Sequence, residues 1–236
     1  MPGSKPTATS SRSEIDVFID SVNRSPNVRP AGSGGRLIFA MDATASRQPT
    51  WDQASHIQAM MFEETATLGG LAVQLVYYRG YSECRASRWH RGKEGLLGAL
   101  GAVSCRGGYT QIGKVLKHAV AQTRRQRVNA LVFIGDCVEE DVDALCGKAG
   151  ELGLLGVPAF MFHEGDDRSA RDVFEQIARL TGGACCRFDS TSPNELRDLL
   201  SAVAVYASGG RRALEDFTRQ RGGISKNLVR QIEHKS

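Results

Sequence analysis

From residue 37 onward, short apolar runs alternate with longer segments in which apolar positions recur every three or four residues. The runs at 37–41, 71–78, 84–90, 128–134, 156–162 and 184–188 have the length and the β-branched or aromatic content of strands. Between them, 111–125 sets Ile112, Val115, Leu116, Ala119 and Val120 on one helical stripe, and 193–207 repeats the spacing with Leu196, Leu199, Leu200 and Val203. Segments 50–68, 139–152 and 168–181 are further predicted helices, the first opening on Thr50 and Gln53 as a capping-box pair. Only "RGYSE" separates the second strand from the third. That gap is too short for a crossover helix, so these two strands form a hairpin.

Strands alternating with helices predict an α/β chain. The expected architecture is Rossmann-like and doubly wound: a mostly parallel six-stranded sheet, one antiparallel edge strand, and helices on both faces. Ahead of it, 1–13 is Ser-, Thr- and Pro-rich and predicts disorder. Ile15, Phe18, Ile19 and Val22 then form one apolar helix face, with Ser13 and Asp16 suited to its first turn. Such a face is expected to pack on the domain or on a second copy. "RSPNVRPAGSGG" reads as a linker; its glycines precede the first strand, whereas a dinucleotide-binding loop follows one. The expected organisation is a tail with a short amphipathic helix over 1–35, a domain over 36–208, and a basic helical tail over 209–236 holding "RRALEDFTRQR" and "SKNLVRQIEH".

Charge alters this picture little. The net charge of +4 comes from the ends: residues 1–36 carry +2, residues 211–236 carry +4, and 37–210 carry −2. The basic tails lack interleaved aromatics or a recognisable nucleic-acid motif, so solvated ends are the expectation and nucleic acid is not an expected partner. The longest apolar stretch, "LGLLGVPAFMF", is too short to span a bilayer, and the N-terminus lacks the apolar core of a signal peptide. A cytoplasmic protein with no membrane partner is expected. The six cysteines form no C-x-x-C pair, which argues against structural zinc and for small reduced thiols.

The chemistry lies at the predicted strand ends. In "LIFAMDATASR" the first strand runs into Asp42, Thr44 and Ser46, oxygen side chains at alternate positions. "CRGGYT" ends in Thr110 before a helix, and Asp136 follows the strand "VNALVFI" and Gly135. Taken singly, Asp42 reads as a turn or cap, Thr110 as a helix N-cap with Gly113 where an acid would complete a box, and Asp136 as the lead into a helix at 139 whose "EEDVD" complements the dipole. Taken together, two carboxylates and three hydroxyls come from three loops at the carboxyl end of a parallel sheet, where ligands bind. An all-oxygen set without His or Cys suits Mg²⁺ or Mn²⁺.

The pattern D-x-T-x-S, a later Thr and a later Asp resembles the metal-ion-dependent adhesion site (MIDAS) of the von Willebrand factor type A (vWA) family. The family's usual first motif is D-x-S-x-S, so Thr44 departs from it while keeping the hydroxyl. "GGYTQIGKVLKHAV" resembles the family's second loop and helix, and "IARLTGGACCRFDSTSPNELRDLL" its final helix, Gly-Gly turn, strand and helix. The resemblance covers about residues 36–207 and is to intracellular bacterial members. It implies a metal ion held by Asp42, Thr44, Ser46, Thr110 and Asp136. The hydroxyls would touch the ion, the carboxylates would act largely through water, and a partner protein's Asp or Glu would complete the shell. It also implies a role in assembling or regulating a complex, sometimes beside an ATPase, without catalysis.

The competing enzyme reading is a Mg²⁺-dependent phosphohydrolase of the haloacid dehalogenase type, with Asp42, Thr110, Lys114 and Asp136 in its order of motifs. It fails at Thr44, where that chemistry needs a second Asp as general acid. A fold with a vestigial site serving as scaffold is the third reading, and the five intact positions argue against it. Arg47, Arg79 and Trp89 carry no assigned role, while Arg85 and Arg88, flanking the hairpin strand, are expected to be solvated edge charge that blocks strand addition, with a partner surface as the alternative. Cys137 lacks a neighbouring base, and His118 is expected to pack or be exposed rather than ligate. Oligomeric state stays open.

Overall fold

The computed structural model describes residues 17–18, 20–22, 34–45, 51, 70–188 and 193–220. Ser46, Arg47, Ile15, Ile19, the 50–68 helix beyond Trp51, and "SKNLVRQIEH" lie outside the described residues.

Six strands form one sheet: β1 (Gly35–Asp42), β2 (Leu71–Arg79), β3 (Glu83–His90), β4 (Ala130–Gly135), β5 (Ala159–Glu164) and β6 (Ala184–Phe188). Their order is β3-β2-β1-β4-β5-β6. All pairs are parallel except β2 with β3, which are antiparallel with a register shift between Gln74 and Val76. The mostly parallel sheet with one antiparallel edge strand is therefore as expected, and the short "RGYSE" link is its cause. β5 starts at Ala159, later than its apolar run, because Pro158 has no N–H to give the ladder.

Helices described over their whole length are α1 (Lys93–Gly101), α2 (Ile112–Arg125), α3 (Val142–Leu154), α4 (Arg168–Thr181) and α5 (Pro193–Gln220). α4 has the predicted bounds, closed by Asp167 at its N-cap and by left-handed Gly182 after its last turn. α1 was not among the predicted helices. Its "KEGLLGALG" carries three glycines and buries only Leu96 and Leu100, so tertiary packing overrides a weak local preference. α5 runs past residue 208 and breaks at Gly210, where φ is 71°. Beyond the break Leu214 is fully buried.

Strand alternation sorts the core into two layers. Leu37, Phe39 and Met41 of β1 face α1 and α5, while Ile38 and Ala40 face α2, α3 and α4. The N-terminal helical residues join the first layer: Phe18 and Val22 are buried, and the Phe18 ring meets Phe160 and Phe162 edge-on at 6.1 and 5.4 Å. The amphipathic face read from the sequence thus covers the sheet of its own chain at these two residues.

Candidate metal centre

A doubly wound sheet opens a crevice where successive crossovers depart in opposite directions. In this order that point lies between β1 and β4. Met41 is in register with Ile134, so Asp42 and Asp136 leave neighbouring parallel strands side by side. Asp42 continues the face of Ile38 and Ala40 and points toward the start of α2. It is buried. Its Oδ1 accepts the Thr44 N–H at 2.7 Å, and its Oδ2 accepts the Tyr78 hydroxyl at 3.1 Å. The first bond closes a turn that holds Thr44, half-buried, on the same loop.

Thr110 arrives from the third loop. The N-cap of α2 is Gln111, which makes no side-chain cap, so Thr110 is not the cap that the local pattern suggested. Its hydroxyl instead accepts the Glu139 N–H at 2.9 Å, and its own N–H donates to Glu139 Oε2 at 2.9 Å. The next acid, Glu140, caps α2 from outside: its carboxylate accepts the N–H groups of Ile112 and, at 2.9 Å, Gly113. Gly113 makes room for this, since a Cβ there would lie 2.9 Å from Glu140 Oε1. Glu139 and Glu140 are therefore not the first turn of the following helix. That helix, α3, begins later, at Val142, and is capped by Asp141, which accepts from Ala144 N at 2.8 Å. The loop carrying Asp136 and the loop carrying Thr110 are locked together by these two glutamates. No local pattern in the sequence signals it, because the partners lie 27 to 29 residues apart.

The electrostatics follow from burial. Desolvation raises the Asp42 pKa above the carboxylate norm; the bonds from Thr44 and Tyr78 oppose this, and the nearby Asp136 charge adds to it. Tyr78 is fully buried, and desolvation plus the Asp42 charge push its pKa well above 10.0. Cys137, beside Asp136, is pushed up to about 12 by burial and then by the surrounding carboxylates. A divalent cation would offset the repulsion between Asp42 and Asp136, and the donors fit one. The Asp42 carboxylate is oriented at both oxygens, and Thr110 Oγ1, with one N–H accepted, keeps a lone pair. Among the described residues no three His, Cys, Asp or Glu side chains form a metal-holding group. This set holds only two carboxylates and relies on three hydroxyls, one of which, Ser46, lies outside the described residues.

The remaining candidates have structural duties. Lys114 Nζ donates to Ser82 O at 2.8 Å and Gln111 Oε1 at 2.7 Å. His118 Nε2 bonds Gln74 Oε1 at 2.9 Å, within the packed face of α2. The Arg36 guanidinium stacks 3.8 Å from the Trp89 ring centre and donates to Gln126 O at 2.7 Å. Arg79 and Arg85 both bond Glu83. His163, opposite Gly135 on β5, is buried against Phe174, and desolvation lowers its pKa. All six cysteines are free thiols, five of them half-buried and Cys186 buried. Among the described residues no helix is long and apolar enough to cross a membrane.

No protein-family model matches the chain, and no curated protein matches it in sequence. Solved structures do match in fold. A von Willebrand factor type A protein from Catenulispora acidiphila superposes with a TM-score of 0.59 at 17% identity, over 73% of this chain and 43% of that one. The SpRpn10 VWA domain does so at 0.54 and 16%, over 70% of this chain and 93% of that one. Proximal thread matrix protein 1 from the mussel byssus, with a zinc-occupied MIDAS motif, gives 0.58 and 16%, over 74% and 46%. The chain thus spans less than half the length of the first and third. These likenesses give no support to the phosphohydrolase reading, and Lys114, which that reading needs at the reacting group, is bound to the β2–β3 turn instead. Sheet order, the single antiparallel edge strand and the matching folds lead to one conclusion: this chain has the von Willebrand factor type A fold.

Proposed function

We propose that this chain is a protein-binding module in which Mg²⁺ or Mn²⁺, held by Asp42, Thr44, Ser46, Thr110 and Asp136, receives an Asp or Glu from a partner protein. The observation that carries this reading is the meeting of buried Asp42, Asp136 and the Thr110 loop at the β1–β4 crevice. Hydroxyl ligands are neutral and leave an ion short of negative charge, so a partner carboxylate is the natural completing ligand. The zinc-occupied MIDAS motif of the mussel protein supports a divalent ion on this fold. A role without catalysis is supported by Cys137, whose thiol burial holds protonated, and by Lys114, which is committed to the β2–β3 turn. In this proposal the binding domain is 36–208, and the setting is a cytoplasmic, bacterial complex that the module assembles or regulates, with neither membrane nor nucleic acid as partner.

The test couples metal to binding. At ten times Kd, Mg²⁺ or Mn²⁺ should add about 1.4 kcal/mol to stability, a rise of about 3–6 °C in Tm. Asp42→Ala should abolish the shift. Capture on the immobilised chain should yield a partner in Mg²⁺ that EDTA and Thr110→Ala both release. A full wild-type shift in Asp42→Ala, or capture indifferent to EDTA, would overturn the proposal.

A further inference from the structure

Two exposed tyrosines stand beside the site. Tyr81 at the β2–β3 turn is 79% exposed, and Tyr109, the residue before Thr110, is 57% exposed. Their rings meet edge-to-face at 5.4 Å and 64°. Neither contributes to the core, yet both are held on a rigid seat. The Tyr109 N–H donates to Gly80 O at 3.2 Å, and Gln111 Nε2 lies 3.3 Å from both Arg79 O and Gly80 O. Arg79 Nη1 donates to Ser104 O at 2.7 Å, tying the same turn to the start of the same loop. Gly80 is left-handed at φ 59°, and a Cβ on Gly108 would run into the Gly80 backbone, so the two segments touch main chain to main chain. Solvent-facing aromatics on a braced backbone lose little entropy when a partner covers them. Tyr and Arg are the residues in which binding energy concentrates.

Charge says what covers them. Segments 79–85 and 104–114 carry Arg79, Arg85, Arg106 and Lys114 against one carboxylate, Glu83. Arg85, Arg106 and Lys114 are exposed. The loop after β4 that bonds Thr110 and the head of α2 carries the opposite sign, with Glu139, Glu140, Asp141 and Asp143, and the Glu139 and Glu140 carboxylates are occupied by backbone N–H groups there. A segment with excess negative charge is therefore drawn to the exposed basic groups around the tyrosines rather than to the loop after β4. A two-fold contact of this face with a second copy would set basic rim against basic rim.

We propose that the Tyr81–Tyr109 pair is the docking platform for an acidic peptide segment of the partner, one that carries an aromatic or branched aliphatic side chain within a few residues of the carboxylate offered to the metal. This rests on the metal-bridged reading above and adds the partner's sequence chemistry and its direction across the site. The carboxylate lands at the crevice, and the apolar residue lies over the two rings. The remaining acids face Arg85, Arg106 and Lys114.

The probe is a displayed library of random 12-residue peptides, selected on the full chain in Mg²⁺. The enriched peptide is then titrated against wild type, Tyr81→Ser/Tyr109→Ser, Tyr81→Phe/Tyr109→Phe and Asp42→Ala, with Mg²⁺ and with EDTA. Expected is a consensus pairing Asp or Glu with a nearby apolar residue, about tenfold or greater loss of affinity in the double serine variant, and retention in the double phenylalanine variant. Both rings are exposed, so the melting temperature of the serine variant should match wild type. A peptide released by EDTA but indifferent to the serine pair sinks the platform and leaves the metal bridge standing. A peptide sensitive to the serine pair but indifferent to EDTA and Asp42→Ala sinks the bridge and leaves the platform. Failure to enrich peptides with the acid-plus-apolar pairing overturns the inference. So does concentration-dependent self-association that the serine pair abolishes, because the occupant is then a second copy.

Discussion

Glu140 is the most exacting place to test how the site is built. Its carboxylate accepts two backbone N–H groups at the start of α2, Ile112 and Gly113, where Gln111 offers no cap of its own. Removing it leaves two orphan donors in a part-buried position. Bonds to a charged acceptor contribute about 1.5–3 kcal/mol each, and loss of a helix cap about 0.5–2. Water reaches part of this position, so Glu140→Ala should destabilise the chain by about 2–4 kcal/mol, equivalent to about 5–15 °C in Tm. Gly113 sharpens the test. In the wild type a Cβ at Gly113 would lie 2.9 Å from Glu140 Oε1, so Gly113→Ala should push the carboxylate off its donors and destabilise. In a Glu140→Ala background the obstruction is gone, and Ala should instead gain about 1 kcal/mol of helix propensity. Urea denaturation of wild type, both single variants and the double variant gives the cycle. If Gly113→Ala has the same effect in both backgrounds, Glu140 does not cap α2 and the two loops are not locked through it.

Two further outcomes are expected. Phe18→Ala should destabilise by about 3–5 kcal/mol, because it empties a site between Phe160 and Phe162; an unchanged urea midpoint would show that the N-terminal residues do not belong to the core. His90, His118 and His163 all have pKa values lowered by desolvation from the usual 6.5. The fold thus prefers them neutral: their contribution is complete above pH 6.5 and is lost as the pH falls below it toward their folded values. Urea titrations at pH 7.5 and 5.5 should show lower stability at the acid point and a smaller drop in His163→Phe; a rise toward pH 5.5 would contradict the sign.

How much of this was legible in the sequence depends on the range of the interaction. Whatever rests on neighbours within a turn or a strand could be read directly. The run Leu37–Met41 became β1 and the stripe from Ile112 to Val120 became α2. α4 took its predicted bounds because Asp167 and Gly182 stop it at both ends. The hairpin followed from loop length alone, and it put the antiparallel strand at an edge. Asp42 and Asp136 could be placed at strand ends because each follows an apolar run. The order of strands that makes those two ends adjacent is a tertiary fact.

The remainder was decided by groups far apart in sequence, for which local pattern carries no signal. "EEDVD" has the composition of a helix start, and it was tertiary contact that drew Glu139 to Thr110 and Glu140 to the head of α2. α1 has three glycines and formed because Leu96 and Leu100 found the core. Arg36 met Trp89 across 53 positions, and Tyr81 met Tyr109 across 28. Local propensity is worth tenths of a kcal/mol per residue, whereas a buried side chain or a charged hydrogen bond is worth several times that. The residue types, and the strands and most of the helices that hold them, were therefore set along the chain, while the pairing of Thr110 with Glu139 and of α2 with Glu140 was left to the folded state.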